Sequence, residues 1–153
     1  DKRKGLDTFI ELSNELDDQY QIVLIGLNKK QIEQLPKNII GISRTENVQE
    51  LVKWYSAADV YFNPTLEDNY PTTNLESIAC GTPVITFNTG GSPESAYAGE
   101  NRIIDSNVQS IINAISKCIY NENVNVDISN MCSKYEEEYK IETNNLYKYI
   151  DTI

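Results

Sequence analysis

Five short runs rich in β-branched residues punctuate the first two thirds of this chain: QIVLIGL (21–27), NIIGI (38–42), DVYFN (59–63), PVITF (83–87) and NRIID (101–105). Each is short and bounded by polar or turn-forming residues, so each reads as a strand. Between them the apolar spacing switches to that of helices. Leu6, Phe9, Ile10, Leu12 and Leu16 share one face over 5–17, and Val48, Leu51, Val52 and Tyr55 do so over 47–57. A weaker helix over 28–35 stops at Pro36. PTTNLESIACG carries Pro71 near its first turn and Gly81 just past its end, the proline-start, glycine-stop asymmetry of a helix. A helical turn is expected near 93–98, a helix over 108–120, and one or two more in the polar tail from about 127.

Apolar strands that alternate with helices specify the α/β class: a Rossmann-like parallel sheet with helices on both faces. The 153 residues make one domain, 1–153. Its first element is a helix, whereas a doubly wound sheet carries its first strand at the centre. The expectation is therefore a piece of a longer protein, with an apolar strand just upstream of Asp1.

Composition excludes several functions. Lys and Arg number 13 against 23 Asp and Glu, a net charge of −10 that argues against a nucleic-acid phosphate binder. There is no histidine, which removes Ser-His-Asp and Cys-His catalysis and most zinc sites. Cys80, Cys118 and Cys132 form no paired framework, and Cys80 reads as a small packing residue. No apolar run approaches the roughly 18 residues of a membrane span, and the opening DKRKGLD lacks the apolar core of a secretory leader. A reducing, cytoplasmic setting is expected.

Ligands of open α/β sheets bind outside the carboxyl ends of the strands. Three loops converge there: KRKG at the start, PTLEDNYPTTN after 59–63, and NTGGSPES after 83–87. The middle loop runs into a helix N-terminus, where the amides of Thr72, Thr73 and Asn74 and the helix dipole favour an anion. The two threonine hydroxyls and the Asn74 amide would add donors. Glu76 lies one turn behind on the same face, where a carboxylate accepts two bonds from a sugar diol. Asp68 is placed to reach a group attached to the phosphate, and Lys4 to supply a cation. Asp before a helix is also a common turn residue, and Gly90-Gly91 a plain turn signal.

DNYPTTNLE resembles the acidic-x7-acidic motif of retaining, GT-B-fold glycosyltransferases of family 4, also called glycosyl transferases group 1. That motif is followed in the family by A-x-A-C-G-T-P-V and a G-G loop; LESIACGTPVITFNTGGSPES stands in that place here. AADVYFNPT is similar to the family's A-A-D-V-F-V-x-P-S, and KRKGLDTFIEL to its phosphate-contacting K-G-x-x-x-x-I segment. The similarity covers roughly residues 2 to 100 in order. It implies that Glu76 holds the nucleotide ribose and that Lys4 neutralises the donor diphosphate with the amides of Thr72 and Thr73. It further implies that Asp68 stands near the reacting centre, that Gly90 and Gly91 let backbone approach the sugar or diphosphate, and that Ser43 and Arg44 lie near the base.

The chain departs from the pattern at three places. Asp68 stands where Glu is usual, with Glu67 beside it, so either acid can fill the role. Pro71 replaces a glycine and removes one amide of the phosphate cradle. Arg3 adjoins Lys4, whereas the family's arginine partner lies several residues upstream. Glu67 and Asp68 do not make a DxD metal motif, so no metal and no cofactor is implied. The resemblance thus implies the donor-binding domain of a metal-independent retaining hexosyltransferase that uses a nucleotide-diphosphate sugar. Its glycan or glycolipid acceptor would belong to an N-terminal domain outside this sequence, and the parent would work in the cytoplasm or at the inner face of the membrane. The fragment alone is expected to be inactive. The competing reading is a non-catalytic nucleotide-sugar or carbohydrate-binding module, motivated by Asp68 and Pro71. A receiver-type signalling domain would need an acidic cluster that ends the first strand, and none is visible.

Overall fold

A computed structural model describes residues 5–96 and 103–120. Eleven elements follow one another there: α1 (Leu6–Glu15), β1 (Ile22–Ile25), α2 (Lys29–Glu33), β2 (Ile39–Ile42), α3 (Val48–Ala57), β3 (Tyr61–Asn63), α4 (Thr72–Ala79), β4 (Val84–Phe87), α5 (Ser92–Ser95), β5 (Ile103–Ile104) and α6 (Val108–Tyr120). Every strand falls inside one of the five apolar runs. The helices that start after an asparagine do so for a local reason. The Asn28 side chain accepts from the Gln31 amide in a full capping box, and the Asn47 side chain accepts from the Glu50 amide. The tail from 127 onwards and Lys4 lie outside the described residues.

All strand pairings are parallel. β1 pairs with β2, Ile22 opposite Ile39 and Ile25 opposite Ile42. β3, β4 and β5 form a second sheet, with Tyr61 opposite Val84 and Phe87 opposite Ile104. The single sheet expected from the sequence is therefore two ladders among the described residues. Among the described residues no ladder joins β1 to β3.

Helices cover both faces of the β3-β4-β5 sheet because side chains alternate along each strand. Phe62, Ile85 and Phe87 point to one face and pack with Leu12 of α1 and Ile111, Ala114, Ile115 and Cys118 of α6. Ile22 and Tyr20 join the margin of this core, so the β1-β2 ladder is tied to it. Phe62 sits edge-on to both Phe9 and Phe87, at centroid distances of 5.4 and 5.7 Å. Tyr61 and Val84 point to the other face, against Ile78 of α4 and Ala96. Burial of each large side chain here is worth about 1.5–3 kcal/mol. What this packing fixes, for function, is where α4 begins relative to the carboxyl ends of β3 and β4.

Candidate functional site

The site starts from two loops that leave adjacent strands. β3 ends at Asn63 and runs into the loop that holds Glu67, Asp68 and Asn69; β4 ends at Phe87 and runs into Asn88-Thr89-Gly90-Gly91. The loops are docked on each other. The Gly91 amide donates to the Asp68 carbonyl at 3.0 Å, and the Thr89 hydroxyl to the Thr65 carbonyl at 2.9 Å. A Cβ on Gly91 would overlap the Asn69 carbonyl oxygen, and one on Gly90, where φ is +53°, would overlap the Asp68 carbonyl oxygen. The close approach that demands two glycines is thus backbone against backbone. In this geometry they fix the acidic loop.

Gly5 makes a third approach of the same kind. Its φ is +71°, it caps α1, and a Cβ there would lie 2.6 Å from Pro64 Cγ. Gly5 thereby stands against the residue that follows β3.

Asp68 is exposed. Its Oδ1 accepts from the Tyr70 amide at 3.1 Å, closing a local turn, and it does not cap α4. Pro71 is the N-cap of α4, one position before the first turn. Thr72 and Thr73 are exposed at the first two helical positions, where amides find no helical carbonyl.

Asn74 corrects the sequence reading. Its amide already donates to the Pro71 carbonyl at 3.1 Å, and its side chain is fully buried. The side chain accepts from Asn63 Nδ2 and donates to Ser95 Oγ, both at 2.9 Å; Ser95 in turn donates to the Ser92 carbonyl. Asn74 therefore has its backbone amide committed and its side chain buried away from any ligand at the surface. It fastens the first turn of α4 to the end of β3 and to α5. The helical spacing that put it on the ligand side could not show this, because the partners lie 11 and 21 residues away.

Glu76 is half-buried on α4 and accepts a hydrogen bond at Oε2 from the Tyr55 hydroxyl at 3.0 Å. Burial, then neighbouring Tyr61 and Glu76, push the Tyr55 hydroxyl well above its ordinary pKa of 10.0. Tyr61 packs edge-on against Tyr55, 5.4 Å between centroids, and its hydroxyl bonds the Thr73 side chain. Burial raises its pKa too; the Thr73 bond opposes this, while Glu76 and Asp68 add to it.

These two tyrosines were not singled out from the sequence. Tyr55 stands on the apolar stripe of α3, four residues after Leu51, and spacing alone cannot reveal what its polar tip meets. Asn63 was missed as well, although an asparagine that ends an apolar strand was a visible signal. Arg44 is exposed two residues past β2, the end of the β1-β2 ladder. The structure brings Asp68, Thr72, Thr73, Glu76, Gly90 and Gly91 to one end of the β3-β4 pair. Ser43 and Arg44 follow the carboxyl end of β2, in the other ladder.

Known proteins give this geometry a context. The Glycosyl transferases group 1 family matches residues 1–121. An alpha-galactosylglucosyldiacylglycerol synthase of Streptococcus pneumoniae is 34% identical over 97 residues, 55% of this chain and 25% of that protein. A D-inositol 3-phosphate glycosyltransferase of Corynebacterium jeikeium is 34% identical over 85 residues, 52% of this chain and 20% of that protein. Among solved structures, Anabaena Alr3699/HepE in complex with UDP-glucose superposes with a TM-score of 0.74 at 18% identity, over 100% of this chain and 46% of that one. The pneumococcal O-GlcNAc transferase GtfA in complex with UDP and GlcNAc gives 0.67 at 18% identity, over 98% of this chain and 34% of that one. The chain thus spans a quarter or less of these curated relatives and under half of these structures. At such identities the superpositions speak for the fold, an α/β arrangement shared with GT-B glycosyltransferases. With the family match over most of its length, this chain belongs to the glycosyl transferases group 1 family.

Proposed function

We propose that this chain is the donor-binding domain of a retaining glycosyltransferase that takes a nucleotide-diphosphate sugar without a metal. The observation that carries the reading is the beginning of α4: two exposed threonines at its first positions, with the Glu76 carboxylate one turn behind. The amides of Thr72 and Thr73 and the Thr72 hydroxyl suit a diphosphate, and Glu76 suits the ribose diol beyond it. Lys4, the residue before Gly5 in the sequence, would add the positive charge. Asp68 or Glu67 would stand at the sugar end, on the loop clamped by Gly90 and Gly91. Arg44 would approach the base from the neighbouring sheet. UDP-glucose in one structural neighbour, and UDP with GlcNAc in another, support a nucleotide sugar as ligand class.

Catalysis in the parent protein would be positional and electrostatic. Charge that develops on the leaving diphosphate would be met by Lys4 and the helix amides, already in place before the bond breaks. The glycan or glycolipid acceptor would be held by another domain of the parent. We also place a further strand of the parent between β1 and β3, the position that the doubly wound order assigns to its first strand. On this reading the 153-residue chain binds donor but transfers no sugar.

Calorimetric titration of the chain with UDP-, GDP- and ADP-sugars tests this. Saturable binding of one base class, lost in Glu76→Ala, is the expected outcome; failure of all three to bind would overturn the donor-site reading. The commitment of Asp68 Oδ1 to the Tyr70 amide favours a second reading, a binding module without chemistry. Transfer by the full parent that is unchanged in Asp68→Ala would remove Asp68 from the mechanism.

A further inference from the structure

Glu76 is one flexible side chain on a helix surface, and to hold a diol its carboxylate must be presented in one orientation. Ordering a free glutamate on binding costs up to about 1.5–2 kcal/mol. The structure contains a device that removes part of this cost. The Tyr55 hydroxyl donates to Glu76 Oε2 at 3.0 Å across the α3–α4 contact, 21 residues apart in sequence. Tyr55 is itself held at three points. Its carbonyl accepts from the Ala58 amide at 3.1 Å and from the Thr82 hydroxyl, and its ring lies edge-on to Tyr61. A tyrosine has only two rotatable side-chain torsions, so this donor is nearly rigid once its backbone is fixed.

We propose that Tyr55 is a positioning residue for Glu76, fixing the carboxylate so that its remaining acceptor sites face a nucleotide ribose. The inference rests on the donor-site reading above and deepens it. An ionised carboxylate offers about four lone-pair sites. Tyr55 takes one, and the other oxygen keeps both of its own for a vicinal diol. The Thr73 hydroxyl, at the start of the same helix, donates to the neighbouring Tyr61 oxygen. One edge-packed tyrosine pair therefore stands behind both the ribose end and the phosphate end of the site. Burial holds the Tyr55 pKa well above 10.0, so at neutral pH the hydroxyl keeps its proton and donates.

The test uses calorimetry on the 153-residue chain with UDP, GDP and ADP, and with the 2′,3′-dideoxy form of whichever binds. In Tyr55→Phe the ribonucleotide is expected to bind about tenfold more weakly, the loss of one hydrogen bond to a charged group. The dideoxy form, which has no diol, should bind wild type and Tyr55→Phe alike. In a Glu76→Ala background the substitution should have no further effect, since the two residues act through one bond. A Tyr55→Phe protein that binds the ribonucleotide as tightly as wild type would overturn the proposal and leave the donor site standing. So would equal weakening of both nucleotides, which marks a general structural role. If wild type binds none of the three, the donor-site reading fails and this proposal fails with it.

Discussion

Strands β2 and β4 are each four residues long, parallel-paired and rich in β-branched residues, and they end in opposite environments. Along β4 every residue is buried, Ile85 completely. In the β1-β2 ladder Ile25 and Ile40 stay 36% and 44% exposed. The parallel register puts Val23, Ile25, Ile40 and Ile42 on one face, and that face is only partly covered. β4 has α1 and α6 on one side and α4 and α5 on the other. The difference bears directly on the site. The acidic loop, the glycine loop and α4 all hang on the clamped sheet, whereas Ser43 and Arg44 extend from the loosely covered one. On the donor-site reading proposed above, the donors would need to be fixed in advance, which the doubly covered β3-β4 pair favours.

The glycines give the sharpest way to break this comparison. Gly91→Ala would drive a methyl group into the Asn69 carbonyl, with backbone on both sides and no flexible end to yield. We expect a loss above about 4 kcal/mol, or no folded protein at all. Gly26, at the end of β1, has φ +92° and open space around its Cα, so Gly26→Ala should cost only about 1 kcal/mol of backbone strain. Urea unfolding of the two variants reads the contrast. Similar losses would mean that the two loops are equally constrained.

Core truncation asks the same question of the strands. Ile85→Ala, at a site with no exposure, should cost about 3 kcal/mol. Ile40→Ala should cost less than about 1 kcal/mol, since nearly half of that side chain is already in water. A loss at Ile40 as large as that at Ile85 would show its face to be covered in solution.

The smallest effect concerns pH. Tyr55 and Tyr61 both have their pKa raised above the ordinary 10.0, chiefly by burial. The folded state then binds their protons more tightly than the unfolded state does. Their contribution to stability is complete below about pH 10 and is lost as pH rises beyond it. Thermal melting between pH 9 and about 11 should show that decline, and Tyr55→Phe/Tyr61→Phe should flatten it. An equally steep decline in the double variant would assign it to other groups.

Legibility differed between the two regions for a related reason. The strands and helices of both were readable because local periodicity and capping dictate them: Asn28, Asn47 and the Pro71–Gly81 bracket mark helix ends within a few residues. The site was readable where chemistry follows from sequence neighbours, as with Thr72, Thr73 and Glu76 on one helix. It was misread at Asn74, whose role is set by Asn63 and Ser95, and unread at Tyr55, whose partner lies on another helix.

By itself, then, the sequence determined the alternation of strands and helices, the α/β class and a helix N-terminus suited to an anion with an acid one turn behind. Those features depend on residues within about four positions of each other, where helix and strand geometry is fixed by the backbone. Tertiary structure alone decided that the sheet is two ladders, that Gly90 and Gly91 press against the acidic loop, that Asn74 turns inward, and that Tyr55 grips Glu76. Each of these is a meeting of segments far apart in the chain, and such meetings depend on how whole helices pack.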